Sequence, residues 1–155
     1  MESAKLSAIY KYVFGRKFSN SMDDKIRLQK VVYALNECNM ACGDYVFMWD
    51  EHGPFSPELS NDIKRIDPNE TYRLSYDSSG RRILSKIKRI FTNIPSGISY
   101  SEINWIETLM SIHYIQNYII RNNNQGKVLA YLKQCKPYLS SDSDNIEAYR
   151  IVQAF

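Results

Sequence analysis

Neither sign of charge dominates this chain: 20 Lys and Arg stand against 17 Asp and Glu, leaving a formal charge of +3. So small a surplus argues only faintly, through bulk electrostatics, for a nucleic-acid or membrane partner. Cysteine is scarce as well. Cys38, Cys42 and Cys135 are an odd number, and the first residues, with Glu2 and Lys5, lack the apolar core of a secretion signal, so the sequence predicts a reducing, cytoplasmic setting. No C-x-x-C or H-x3-5-H pair accompanies them, so Cys38 and Cys42 read as small buried thiols, and neither metal nor cofactor is expected. A long hydrophobic run is missing too. The longest apolar stretch, Ile103 to Ile120, is interrupted by Asn104, Glu107, His113, Gln116 and Asn117. Placing those groups in lipid is costly, which points to a buried soluble helix and away from a membrane span. Phosphate-cradling glycine loops and nucleophile elbows are absent.

Aromatic side chains are what the chain has in quantity. Twelve Tyr, six Phe and two Trp supply large contact areas, and many of the tyrosines must keep a polar tip near water or a partner. At 155 residues, 44% hydrophobic and 24% charged, the composition predicts one ordinary globular domain with a single core.

The residue pattern predicts a mainly α fold of about six helices with a small two-stranded β-hairpin in one compact domain. Leu6, Ile9, Tyr10, Val13 and Phe14 form the stripe of a first helix that Gly15 ends. Ser21 caps a second, with Asp23 and Asp24 in its first turn, Leu28, Val31, Val32 and Leu35 inward, Ile26 and Tyr33 on the flank, and Lys25, Gln29 and Asn36 on a polar side. Tyr45 to Trp49 reads as a strand, and Tyr72 to Tyr76 as a second that pairs with it. Ser56 and Pro57 open a short helix through Leu59, Ile63 and Ile66. A helix over Arg81 to Ile94 turns Ile83, Ile87 and Ile90 inward; Ser99 and Glu102 form a capping box for the longest helix; another follows over Val128, Leu129 and Leu132; and Asp144 with Glu147 caps a last one.

Between the first strand and the short helix lies the most constrained segment, Trp49 to Leu59, with two prolines and a glycine in eleven residues. Each proline fixes its own φ, restricts the residue before it and removes a donor, so this is a shaped corner. Trp49 and Phe55 either pin it to the core or join His52 and nearby tyrosines in presenting a rigid aromatic surface. His52 among Asp50, Glu51, Ser56 and Glu58 also admits a hydrolase reading, with Ser56 as nucleophile, although Ser56 precedes a proline as helix caps do. The basic set Arg81, Arg82, Lys86, Lys88 and Arg89 beside a hairpin outlines a nucleic-acid-binding regulator; the plainer reading is a solvated face, since the sequence shows no second basic stripe on a neighbouring segment.

Two segments, Ile26-Arg27-Leu28-Gln29-Lys30-Val31-Val32-Tyr33 and Trp49 through Leu59, together resemble the Panacea (SocA-like) antitoxin-domain family and the small uncharacterised bacterial and archaeal proteins close to it. In these a Leu-Gln-Lys-x-x-Tyr helix precedes an aromatic run and a Gly-Pro-x-Ser-Pro-x-Leu turn. The likeness extends more loosely over Trp105 to Tyr118 and Val128 to Pro137, and leaves Asn69 to Ile98 uncovered. It implies a helical cytoplasmic domain, without enzymatic activity of its own, that neutralises a toxin or, when carried by a mobile element, another host or phage protein. Leu28, Gln29, Lys30 and Tyr33 match the helix motif; Gly53, Pro54, Ser56, Pro57 and Leu59 match the turn. On this reading Trp49, His52, Phe55, Tyr33 and Lys30 are the candidate partner contacts, and no catalytic set is implied.

Overall fold

The computed structural model describes residues 2–40 and 42–155, with the backbone alone for Glu2. The fold is mainly α: seven α-helices and one two-stranded hairpin among the described residues. Their packing divides the chain into two compact units, Met1–Phe47 with Phe55–Ile94 and Met48–Pro54 with Pro95–Phe155.

The first unit holds α1 (Glu2–Phe14), α2 (Met22–Glu37), α3 (Pro57–Ile63) and α4 (Ser78–Thr92). α1 buries Leu6, Ile9, Tyr10 and Val13. It ends where Gly15, at φ +71, donates its amide to the Lys11 carbonyl at 2.8 Å. The Ser21 hydroxyl accepts from the Asp24 amide at 3.1 Å to open α2, whose stripe Leu28, Val31, Val32 and Leu35 is wholly enclosed. Gln29, expected on a polar side, is instead buried. Its amide donates to the Ser56 carbonyl at 2.9 Å and its side-chain oxygen accepts from the Ser56 amide at 3.0 Å, so one side chain satisfies both backbone groups of the residue just before Pro57. Ser56 caps α3, accepting from the Leu59 amide at 3.2 Å, with Pro57 in the first turn. Leu28, Leu59 and Ile63 are buried, which gives the helix motif and the turn a shared structural role. α3 stops at Ile63, short of Ile66.

Further expectations fail in this unit. α4 turns Leu84, Ile87 and Phe91 inward, not Ile83, Ile87 and Ile90. Both stripes pass through Ile87, and the one carrying the larger Phe91 wins because it removes more apolar area from water. Tyr72 to Tyr76 forms no strand. The segment has no regular structure, with Leu74 and Tyr76 half-buried, and Gly80 lies so close to the Tyr76 side chain that a Cβ there would fall 2.9 Å from it. The hairpin lies in the proline corner itself: β1 (Met48–Asp50) pairs with β2 (Gly53–Phe55), and Tyr45 to Phe47 precede it as irregular chain. Gly53 at φ +95 supplies the left-handed conformation that so tight a reversal requires.

The second unit holds α5 (Glu102–Tyr114), which runs on into a π-helical turn (Ile115–Ile119), then α6 (Gln125–Cys135) and α7 (Asp142–Gln153). Its core is Trp105, Ile106, Leu109, Met110, Ile112, Ile115, Val128, Leu132, Leu139, Ala148 and Val152. The cap of α5 is Ser101, not Ser99, and that of α7 is Ser141, not Asp144. Asp144 is buried and reaches back instead, accepting from the amides of Ser99 and Tyr100 at 2.9 Å and from the Ser99 hydroxyl at 2.8 Å. Ile146 on α7 is half exposed. No helix among the described residues is long and apolar enough to cross a membrane.

Candidate interaction surface at the proline corner

The corner is held by a buried ion pair. Lys136, at the end of α6, donates from Nζ to the Asp50 carbonyl at 3.2 Å and to the Glu51 carbonyl, lies 3.6 Å from Glu107 Oε2, and sits 4.8 Å from the centroid of the Trp49 ring. Its side chain is 3% exposed and that of Glu107 is 2%. Glu107 comes from the middle of α5, so a charge that interrupts the apolar run meets its partners inside the unit. The carboxylate also accepts from the Tyr138 hydroxyl, and His52 Nδ1 lies 3.3 Å from its Oε1.

Burial pulls the Lys136 pKa below its ordinary value while Glu107 pulls it back. The Tyr138 hydroxyl is pushed strongly up, first by burial and then by its bond to the carboxylate. Tyr138 therefore stays a neutral donor to the Glu107 carboxylate. A desolvated pair such as this contributes less net stability than its Coulomb attraction suggests, but loss of one member is costly because the other charge is left uncompensated. Its structural effect is to tie two carbonyls of the turn to α6 and α5.

Over this base lies an aromatic strip. Trp49 stacks on Tyr114, with centroids 5.7 Å apart and planes at 23°, and is flanked by Tyr131 at 6.4 Å; Tyr114 meets Tyr118 at 5.2 Å. Trp49 is half-buried, whereas Tyr118 and Tyr138 are each 49% exposed and Met48 50%. Tyr118 stands in the π-helical turn, a local irregularity that re-aims side chains and recurs at functional sites.

The sequence candidates separate in the structure. Trp49 and His52 lie at this surface, and Phe55, counted with the first unit, is half-buried. Tyr33 and Lys30 are buried in the first unit, where Tyr33 packs edge-on to Phe47 at 5.3 Å. Leu28, Gln29, Gly53, Pro54, Ser56, Pro57 and Leu59 are likewise buried or half-buried parts of the scaffold. Ser56 is fully enclosed with its hydroxyl capping α3, and the carboxylate beside His52 is Glu107, not Asp50, Glu51 or Glu58.

Cys38 is half-buried, Cys42 buried and Cys135 exposed. Among the described residues no three His, Cys, Asp or Glu are grouped as a metal site would require. On α4, Arg81 donates to the Tyr76 carbonyl at 3.2 Å and Arg89 to the Ser85 hydroxyl at 3.4 Å, Arg82 is exposed, and Lys86 lies half-buried.

Sequence reasoning missed Glu107, Lys136, Tyr138, Tyr114, Tyr118 and Tyr131 as parts of this surface. Glu107 carried a signal, a lone charge amid apolar helix positions, and so did Tyr114 and Tyr118, four apart as neighbours on one helix face are. No family model, curated protein or solved structure matches the chain, so the functional reading rests on the chain's own residues and their arrangement.

Proposed function

We propose that this chain is a non-enzymatic, cytoplasmic protein-binding module, antitoxin-like in action, that neutralises a toxin or another effector by covering its active or target-binding face. The observation behind this reading is the strip Trp49–Tyr114–Tyr118, set on a turn that a buried Glu107–Lys136 pair holds in place. Aromatic side chains fixed before binding bring large contact area at low entropic cost, which is how interface anchors act. Tyr138 and His52 add polar contacts at the rim, and Met48 adds an adaptable apolar one. A specific complex needs roughly 1,000 Å² or more of total buried area, and the strip supplies its centre. The resemblance of the helix and turn motifs to the Panacea family supports the antitoxin form of the reading.

The test is co-expression with a neighbouring toxin gene, followed by co-purification in high salt. The expected result is a stable complex and restored growth with the native chain, both lost in Trp49→Ala/Tyr118→Ala while helical content is retained. A complex indifferent to that double substitution would overturn the assignment of this surface.

A further inference from the structure

The first unit contains a groove of about 620 Å³ between α1, the irregular segment 68–74 and Lys88 of α4. Lys11, Lys17 and Lys88 line it together with the rings of Tyr12 and Tyr72, against one carboxylate, Glu70. A second recess of about 340 Å³ shares Tyr12 and Leu74 with the first and adds Arg73 and Arg81, so five cations follow one continuous track. Lys88 Nζ sits 5.0 Å from the Tyr12 centroid, and Tyr12 and Tyr72 are each 38% exposed. Among the described residues the side chains of Lys11, Lys17 and Arg73 meet no carboxylate. The second basic stripe that α4 lacks in the linear sequence is thus supplied by α1 and the segment that follows it.

The charge of the whole unit agrees with this. It carries 15 Lys and Arg against 10 Asp and Glu, a balance of +5, while the other unit has 5 against 7, a balance of −2.

We propose that this track binds single-stranded nucleic acid, its phosphates running past Lys11, Lys17, Lys88, Arg73 and Arg81 and its bases stacking on Tyr12 and Tyr72. Cations interleaved with exposed rings in a groove are what a strand with unstacked bases requires, since the cations neutralise the backbone and every base offers a face to a ring. A duplex keeps its bases stacked inside and is read by elements that protrude into its grooves, so rings set in a recess do not serve it. Arg82 and Arg89, the outward cations of α4, line neither recess. The two joined recesses run on past the space of a single mononucleotide, which favours a strand over a free nucleotide.

Fluorescence anisotropy on the full chain tests this, with a labelled oligothymidylate of about ten nucleotides, a site length typical of stacking grooves. The same sequence as a duplex, ATP, and inorganic polyphosphate serve as competitors. We expect log K to fall with log salt at a slope of about −3 to −4, as neutralising about five phosphates of a single strand gives. Lys11→Ala/Lys17→Ala/Lys88→Ala should weaken binding by about tenfold or more and flatten that slope. Tyr72→Ala should weaken it by roughly five- to tenfold, through lost stacking, with the slope unchanged. Arg82→Ala/Arg89→Ala should match the native chain. Absence of binding at low salt, competition by duplex, ATP or polyphosphate equal to that of the strand, or equal loss in the Arg82/Arg89 variant would each overturn the proposal.

Discussion

Asp24 in the first unit and Glu107 in the second are both buried carboxylate hubs, and they are built differently. Asp24 in the first unit accepts from the Tyr10 hydroxyl, from the Ser19 amide at 2.8 Å and hydroxyl at 2.6 Å, and from Arg16 and Arg27 at 3.1 and 2.9 Å. All of those donors lie within 14 residues of it. Glu107 in the second unit gathers His52 from 55 residues away and Tyr138 from 31. The first hub joins the end of α1 to the start of α2, with Arg16 47% exposed; the second ties the turn to α5, with His52 42% and Tyr138 49% exposed. A local hub fixes a helix junction. The long-range one at Glu107 fixes a surface, and that contrast favours the second unit as the place of the proposed partner contact.

The contrast breaks most visibly at Asp24. Burial alone would raise its pKa, but the bonds from Ser19 and Tyr10, then Arg16, outweigh it and hold the carboxylate well below its usual range. The Tyr10 hydroxyl is pushed up to about 12, by burial first and by Asp24 second. Asp24→Ala should cost about 4 kcal/mol in urea unfolding, since two arginines and a tyrosine lose a shared acceptor. Its stabilisation is present above the unfolded carboxylate pKa of about 4 and is lost as pH falls toward the depressed folded value. Gln29→Ala comes next, at about 3 kcal/mol, because the buried amide and carbonyl of Ser56 both lose their partner.

Glu107→Gln is expected to cost roughly 2 kcal/mol by the same measurement, as the amide still accepts from Tyr138 but leaves Lys136 an unpaired buried charge. Its distinguishing effect is local: amide exchange at Glu51 and His52 should quicken, while Asp24→Ala should leave those amides unchanged relative to its global loss. Equal responses in the two variants would abolish the distinction between the hubs.

His113 sharpens the second unit's side of the comparison. Burial pulls its pKa down to about 4, and its ring packs edge-on to Phe155 at 5.2 Å. Below pH ~6.5 the unfolded chain protonates this histidine while the folded one does not, so the unfolded state binds more protons and stability falls as pH drops from there toward 4. The loss should reach about 2 kcal/mol, and His113→Phe should flatten the profile in that window. Tyr118→Ala should change stability least, by no more than about 0.5 kcal/mol, as exposed side chains do.

Much of the scaffold was legible because its signals are local. Gly15, Ser21, Ser56 and Pro57 act where the sequence placed them, each reading only the next three or four residues. Caps were misplaced where several serines competed: Ser99 and Ser101 both precede α5, and Ser99 is drawn off by the distant Asp144. The hairpin was misplaced because alternation in Tyr72 to Tyr76 signals a two-sided segment without naming a partner strand. Gln29 looked solvent-facing because its partner, the Ser56 backbone, lies 27 residues on. The aromatic strip was legible at Trp49 and in the one-turn spacing of Tyr114 and Tyr118, but the stacking of Trp49 on Tyr114 and the approach of Tyr131 come from tertiary packing that no spacing encodes.

The affinity of the co-purified partner for the native chain and for Tyr118→Ala is the most direct test of the role given to the second unit. The account predicts that Tyr118→Ala weakens binding by about thirtyfold or more, the scale of an interface hot spot, at unchanged stability. Native affinity in that variant, together with loss of binding in Lys11→Ala/Lys17→Ala/Lys88→Ala, would contradict it and move the partner contact to the basic groove of the first unit.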